Sequence, residues 1–183
     1  MNCTQNERIN QVSEQTLVIG VDIASELNYA RAFNWRGIEK GKVFKFFNNL
    51  EGFQAFNKWA HQVMSANKLT NIMVAAEPTG HYWFGLADYL KDEKLKLVLV
   101  NPFHVNRAKE LDDNHPSKTD AKDPKTIAKL VIEGRYMEPY IPEGVYADLR
   151  IMYNCRQKVT KAMISLENQL KRWFRIYFPE YLD

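Results

Sequence analysis

Cysteine is nearly absent from the chain: only Cys3 and Cys155 occur in 183 residues, far apart and without metal-ligand spacing. That excludes a disulfide framework and fits a reducing cytoplasm. No apolar run approaches the ~20 residues of a membrane span. The polar start, Met1 to Gln15, lacks the apolar middle of a signal peptide and reads as a flexible tail. Neither sign of charge dominates. A net charge of +3 is too small to establish a nucleic-acid partner, so the placement of charge matters more than its sum. Internal repeats, low-complexity segments and glycine-rich phosphate loops are all missing. What remains is a chain of ordinary hydrophobic content, long enough for one domain with a real core and an appended element.

The densest apolar run is Thr16-Leu17-Val18-Ile19-Gly20-Val21-Asp22. It lacks polar alternation, as a central strand covered on both faces does, and it ends on a carboxylate. Tyr29 to Trp35 and Lys42 to Phe47 alternate like strands, with Gly37 and Gly41 bracketing the turn between them. Short links make the three an antiparallel meander. Asn48-Asn49 offers a cap to a helix in which Phe53, Phe56, Trp59, Ala60 and Val63 recur at helical spacing. Asn71 to Ala76 is a fourth strand ended by Glu77-Pro78-Thr79-Gly80. His81 to Leu90 follows as a helix, and Lys96 to Val100 as a fifth strand stopped by Asn101-Pro102. Strand, helix, strand, helix implies parallel crossovers. Phe103 to Leu111 reads as a short helix, Asp112 to Thr119 as a mobile loop, and Asp120 to Glu133 as a helix ended by Gly134.

From Pro142 the pattern changes. Leu149, Met152, Val159, Met163, Leu166, Leu170, Trp173 and Tyr177 fall at alternating three- and four-residue steps, with Arg156 interrupting. That is a heptad seam. Seven basic residues (Arg150, Arg156, Lys158, Lys161, Lys171, Arg172 and Arg175) meet one acid, Glu167, over the same span, so the arm can track a phosphate backbone. The seam predicts packing on a second copy, a homodimer or higher oligomer, or on sequence beyond this chain. The divisions expected are a tail over 1–15, a catalytic domain over 16–141 and a basic helical arm over 142–183.

A meander, a helix and two parallel β–α units give the order of the ribonuclease H-like fold, a mixed five-stranded sheet flanked by helices. In it the first strand is central and the fourth lies beside it, which makes Asp22 and Glu77 neighbours. Asp120 and Asp123 stand three residues apart at a helix start and can face one way. Each acid alone has a plainer role: Asp22 as a turn or cap residue, Glu77 closing a turn, Asp120 and Asp123 as N-terminal helix residues. Clustered, they repel and raise one another's pKa values unless divalent cations lie among them. Oxygen-only ligands suit Mg²⁺ or Mn²⁺, two of which, roughly 3.5–4 Å apart, serve phosphodiester transfer.

Gly20-Val21-Asp22, Glu77-Pro78-Thr79-Gly80-His81-Tyr82-Trp83, Val100-Asn101-Pro102-Phe103-His104-Val105 and Lys118-Thr119-Asp120-Ala121-Lys122-Asp123 occur in that order. Together they resemble the N-terminal RuvC-like domain of the DEDD transposases of bacterial insertion sequences, the family that includes the Piv DNA invertase. The resemblance runs from Leu17 to Asp183. It implies that Asp22, Glu77, Asp120 and Asp123 are the four acidic catalytic and metal positions. It further implies DNA strand cleavage and exchange, a DNA partner, and in some members a structured guide RNA. Family members also carry a second, serine-bearing domain, which this chain is expected to lack, so that the fragment alone has little or no activity. Pro124 departs from the small helix former usual there, but proline is tolerated in a first helical turn.

Other groups near these motifs have weaker signals. Lys118 can meet a phosphate or an unmetallated acid. His81 and His104 can contact DNA or simply cap and pack, and Tyr82, Trp83 and Phe84 are expected in the core. Three other functions compete: a junction-resolving or hydrolytic nuclease of the same fold, a non-catalytic DNA-binding and dimerisation module, and an actin-like kinase. The last also begins strand-Gly-x-Asp, but it needs glycine where Ile23-Ala24-Ser25 stands.

Overall fold

The computed structural model describes residues 4–78, 80–112, 123–141 and 144–181. Two compact units, residues 1–139 and 140–183, divide the chain.

In the first unit, β1 (Thr16–Asp22), β2 (Leu27–Phe33), β3 (Phe44–Phe47), β4 (Asn71–Ala76) and β5 (Lys96–Leu99) form one sheet in the order β3-β2-β1-β4-β5. The β1–β2 and β2–β3 pairs are antiparallel; β1–β4 and β4–β5 are parallel. This is the ribonuclease H-like arrangement. The unalternated run of β1 has its explanation here: Leu17, Val18, Ile19 and Val21 are all fully buried, because β1 is central and both faces are covered. One face carries α5 (Asp123–Ile132), which lies on β1, β2 and β4, with α4 (Pro102–Asp112) packed against it. Val18, Met73, Val98, Val105, Ile127 and Val131 fill that core. On the other side, α2 (Leu50–Ala66) and α3 (Trp83–Asp92) pack together and against β3, β4 and β5. Asn49 caps α2, its Oδ1 accepting from the Gly52 N–H at 2.8 Å.

The expected flexible tail is corrected by the structure. Residues Gln5–Asn10 form a short helix, α1, capped by Thr4 in a reciprocal box with Glu7. The Tyr136 hydroxyl shares its proton between the Arg8 carbonyl (3.0 Å) and Gln11 Oε1 (2.9 Å), and Gln5 Nε2 donates to the Glu133 carbonyl. Val12 is buried in the core beside α5. The hydrogen bonds come from a short polar helix, and Val12, the one buried apolar residue of the segment, lies beyond its end, so no apolar periodicity marks the docking.

The second unit is built on α6 (Val145–Tyr177), a single helix of 33 residues none of which is buried, followed by a 3₁₀ turn at Pro179–Tyr181. Among the described residues, no helix is long and apolar enough to cross a membrane.

Candidate carboxylate site

Pairing in the parallel β1–β4 ladder runs through Gly20↔Ala75 and Val21↔Ala76, so Asp22 and Glu77 take corresponding places one residue further on. Adjacent strands lie about 4.8 Å apart, and paired residues of a parallel ladder point the same way. Which way is decided by Gly20. A methyl group built on Gly20 would stand 1.9 Å from the Pro124 carbonyl oxygen and 3.1 Å from the Ala128 nitrogen. The backbone of α5 therefore rests directly on β1 at this residue. By the two-residue alternation of a strand, Asp22 shares the face of Gly20, toward the start of α5. Asp123 opens that helix. Pro124, second in α5 and buried, needs no N–H partner in a first turn, so its presence there is compatible with the helix.

Lys109, at the far end of α4, completes the local arrangement. Its Nζ donates to Asp123 Oδ2 at 2.6 Å, with about a third of each side chain exposed. Loss of hydration on burial raises the Glu77 carboxyl above its ordinary value; Lys109 opposes that rise and Asp123 adds to it. Glu77, Lys109 and Asp123 thus share one electrostatic neighbourhood. The sign for stability follows. A folded-state pKa above the unfolded one stabilises the protein fully below the usual Glu value of 4.5, and this is lost as pH rises through the folded value. At neutral pH, ionised Glu77 weakens the metal-free fold. Glu77→Gln is accordingly expected to raise the melting temperature at pH 7 in EDTA by about 1–2 °C, or roughly 0.5 kcal/mol after solvent screening. Melts repeated below pH 4.5 should show no difference; an equal gain at both pH values would contradict the assignment.

Two asparagines position the loops that carry the acids. Asn28, fully buried, accepts the Ala24 N–H at 2.9 Å and donates to Asn48 Oδ1. Asn48 Nδ2 donates in turn to the carbonyls of Ala24 (3.1 Å) and Tyr82 (3.2 Å). The turn after Asp22 and the turn after Glu77 are therefore tied to the same side chain at the end of β3. Asn28 escaped the sequence reading, although asparagine within an apolar strand is unusual enough to mark a hydrogen-bonded role. Of the aromatic triplet expected in the core, Trp83 is buried while Tyr82 is exposed, its ring 4.5 Å from that of exposed His81. His104 is exposed on α4.

Asp120, Lys118 and all of the expected Asp112–Thr119 loop except Asp112, which ends α4, lie outside the described residues. Among the described residues, no three carboxylate, histidine or thiol side chains converge on one metal-sized point. On α6, Arg150, Arg156, Lys158, Lys161, Lys171, Arg172 and Arg175 are all exposed, with Lys171 paired to Glu167 at 2.6 Å. The apolar seam is exposed too, from Leu149 at 54% through Leu166 at 65% to Tyr177 at 63%, so nothing within this helix covers it.

A family model of DEDD type from the IS110 group, described as Transposase, matches residues 19–179, most of the chain. No curated protein matches the sequence.

Proposed function

The chain belongs to this transposase family, and on that premise we propose that Asp22, Glu77, Asp120 and Asp123 are its catalytic acids in DNA strand cleavage and exchange. The observation that supports this most is the strand register and helix contact at the end of β1. The parallel register, extended one residue past Val21↔Ala76, gives Asp22 and Glu77 corresponding positions, and the contact at Gly20 lays α5, which begins with Asp123, on the same face of β1. The donor set is all carboxylate oxygen; within it Glu77 is partly withdrawn from water and Asp123 pairs with a cationic side chain. Such a set fits Mg²⁺ or Mn²⁺. When bound, a divalent cation supplies Lewis-acid polarisation of the phosphoryl oxygens and neutralises their charge. The protein's own part is placement: β1 and β4 carry Asp22 and Glu77 at their ends, α5 begins with Asp123, and Asn48 holds the turns after Asp22 and Glu77.

The basic residues of α6, with Lys118, are proposed to contact phosphates of DNA and, as the family likeness implies, of a structured guide RNA. The experiment for the catalytic reading is strand exchange by the complete recombinase carrying Asp22→Asn. Loss of exchange in a folded protein is expected, and retained exchange overturns the reading. Hydrolysis of a strand without exchange would instead assign a nuclease.

The exposed seam of α6 is proposed to pair with a second copy as a coiled coil. Sedimentation should find a dimer that becomes monomeric in a Met163→Glu, Leu166→Glu double variant. A monomer at all accessible concentrations would remove the proposal.

A further inference from the structure

Lys109 belongs to no motif of the sequence, yet its ammonium group pairs with Asp123. It sits on α4, one helical turn after Val105, which is fully buried in the core under α5. Ala108, the residue before it, packs against the same core. These anchors fix the edge of α4 over the start of α5 and leave Lys109 to extend along it. Its ammonium group lies 2.6 Å from Asp123 Oδ2, close enough to Glu77 to act on that carboxylate as well. An aspartate in the first turn of a helix is already stabilised by the unpaired N–H groups there, so capping α5 does not require a lysine. What a cation does offset is the repulsion between Asp123 and the partly buried Glu77, on which Lys109 and Asp123 act with opposite sign.

From this placement we infer that Lys109 is the resident counter-ion of the carboxylate site, a positioning residue that holds Asp123 in the metal-free protein and that a divalent cation must displace. The inference rests on the reading of these acids as a cation site. An ammonium group and a divalent ion cannot both take the same carboxylate oxygen at full strength, so lysine lowers the affinity for metal while preventing the acids from repelling one another apart. On displacement its three N–H donors are left beside the acids, where a DNA phosphate must approach. Lys109 therefore exchanges one anion for another as the site is loaded, and metal occupancy is coupled to a side chain outside the four acids.

The experiment is a calorimetric titration of Mn²⁺ into the wild-type chain, Lys109→Met, Lys109→Arg and Asp123→Asn. Lys109→Met is expected to bind Mn²⁺ about tenfold more tightly than wild type, a value screened by the partial exposure of the ammonium group. Lys109→Arg, which keeps the charge, should stay near wild type, and Asp123→Asn should bind far more weakly. In EDTA, Lys109→Met should melt below wild type and recover with Mn²⁺. Equal affinities for wild type and Lys109→Met overturn the inference while leaving the cation site standing. Absence of binding in every protein overturns both. If Lys109→Met fails to fold, ¹⁵N-lysine spectra of the wild-type chain decide the matter. Saturating Mg²⁺ should release the protected Lys109 ammonium signal into solvent exchange; a signal unchanged through the titration overturns the inference.

Discussion

Gly20→Val is expected to cost about 3–5 kcal/mol of stability, the upper end of what single substitutions do, and to lower the melting temperature by about 10–15 °C. The reason is backbone against backbone. Glycine in the interior of a strand gives up conformational entropy and packs nothing, so its presence in the central strand needs a cause. The cause is α5: a Cβ on residue 20 would lie 1.9 Å from the Pro124 carbonyl oxygen and 2.8 Å from its carbonyl carbon. Neither atom belongs to a flexible side chain, so relief requires α5 to move away from β1. Because α5 begins with Asp123, its displacement also separates that acid from Asp22 and Glu77, and Mn²⁺ affinity should fall with stability. Gly85 provides the contrast. It lies within α3, and a methyl group there would be 3.5 Å from Phe53 Cε2, an ordinary contact. Gly85→Ala should be neutral or stabilising by up to about 1 kcal/mol, since alanine is the better helix former. Thermal melts of the two variants test both claims; a mild Gly20→Val would mean that α5 does not rest on β1 as described.

Asp22→Asn is expected to reduce strand exchange by at least about a thousandfold, equivalent to about 4 kcal/mol of transition-state stabilisation. The substitution preserves shape and removes one negative charge from the end of β1. It leaves the β1–β2 and β1–β4 ladders intact, because both are made by backbone groups. On the proposed reading the substitution also removes one charge from neighbouring acids, so the melting temperature in EDTA should hold or rise. Asp92, exposed near the end of α3, is the matched control. Asp92→Asn makes the same chemical change outside the site and should leave exchange unaltered. Equal activity in the two variants would return Asp22 to the role of a turn residue.

Strand and helix types, and the order of the strands, were set by local pattern. The unalternated β1, the alternating β2 and the helical spacing of Phe53, Phe56 and Ala60 each report how a segment is buried, and burial period depends only on neighbours along the chain. The sequence alone also placed Asp22 and Glu77 at the ends of adjacent strands, because a meander followed by right-handed crossovers leaves few arrangements of five strands. Other features depended on contacts between distant segments. Whether residues 5–12 dock could not be read from them, since their partners are Tyr136 and Glu133, across the length of the domain. Asn48 had the signature of a helix cap but binds two loops instead, and Asn49 is the cap. Lys118 stood in the motif as the basic residue beside the acids, whereas the ammonium group seen on Asp123 comes from Lys109, fourteen positions away on another helix. A long side chain chooses its partner by where packing sets its backbone, and periodicity carries no record of that. The sequence by itself determined which acids stand at the ends of the strands; the tertiary structure, through the bare backbone contact at Gly20 and the anchoring of α4 by Val105, decided that α5 lies on β1 and that the ammonium group on Asp123 is that of Lys109.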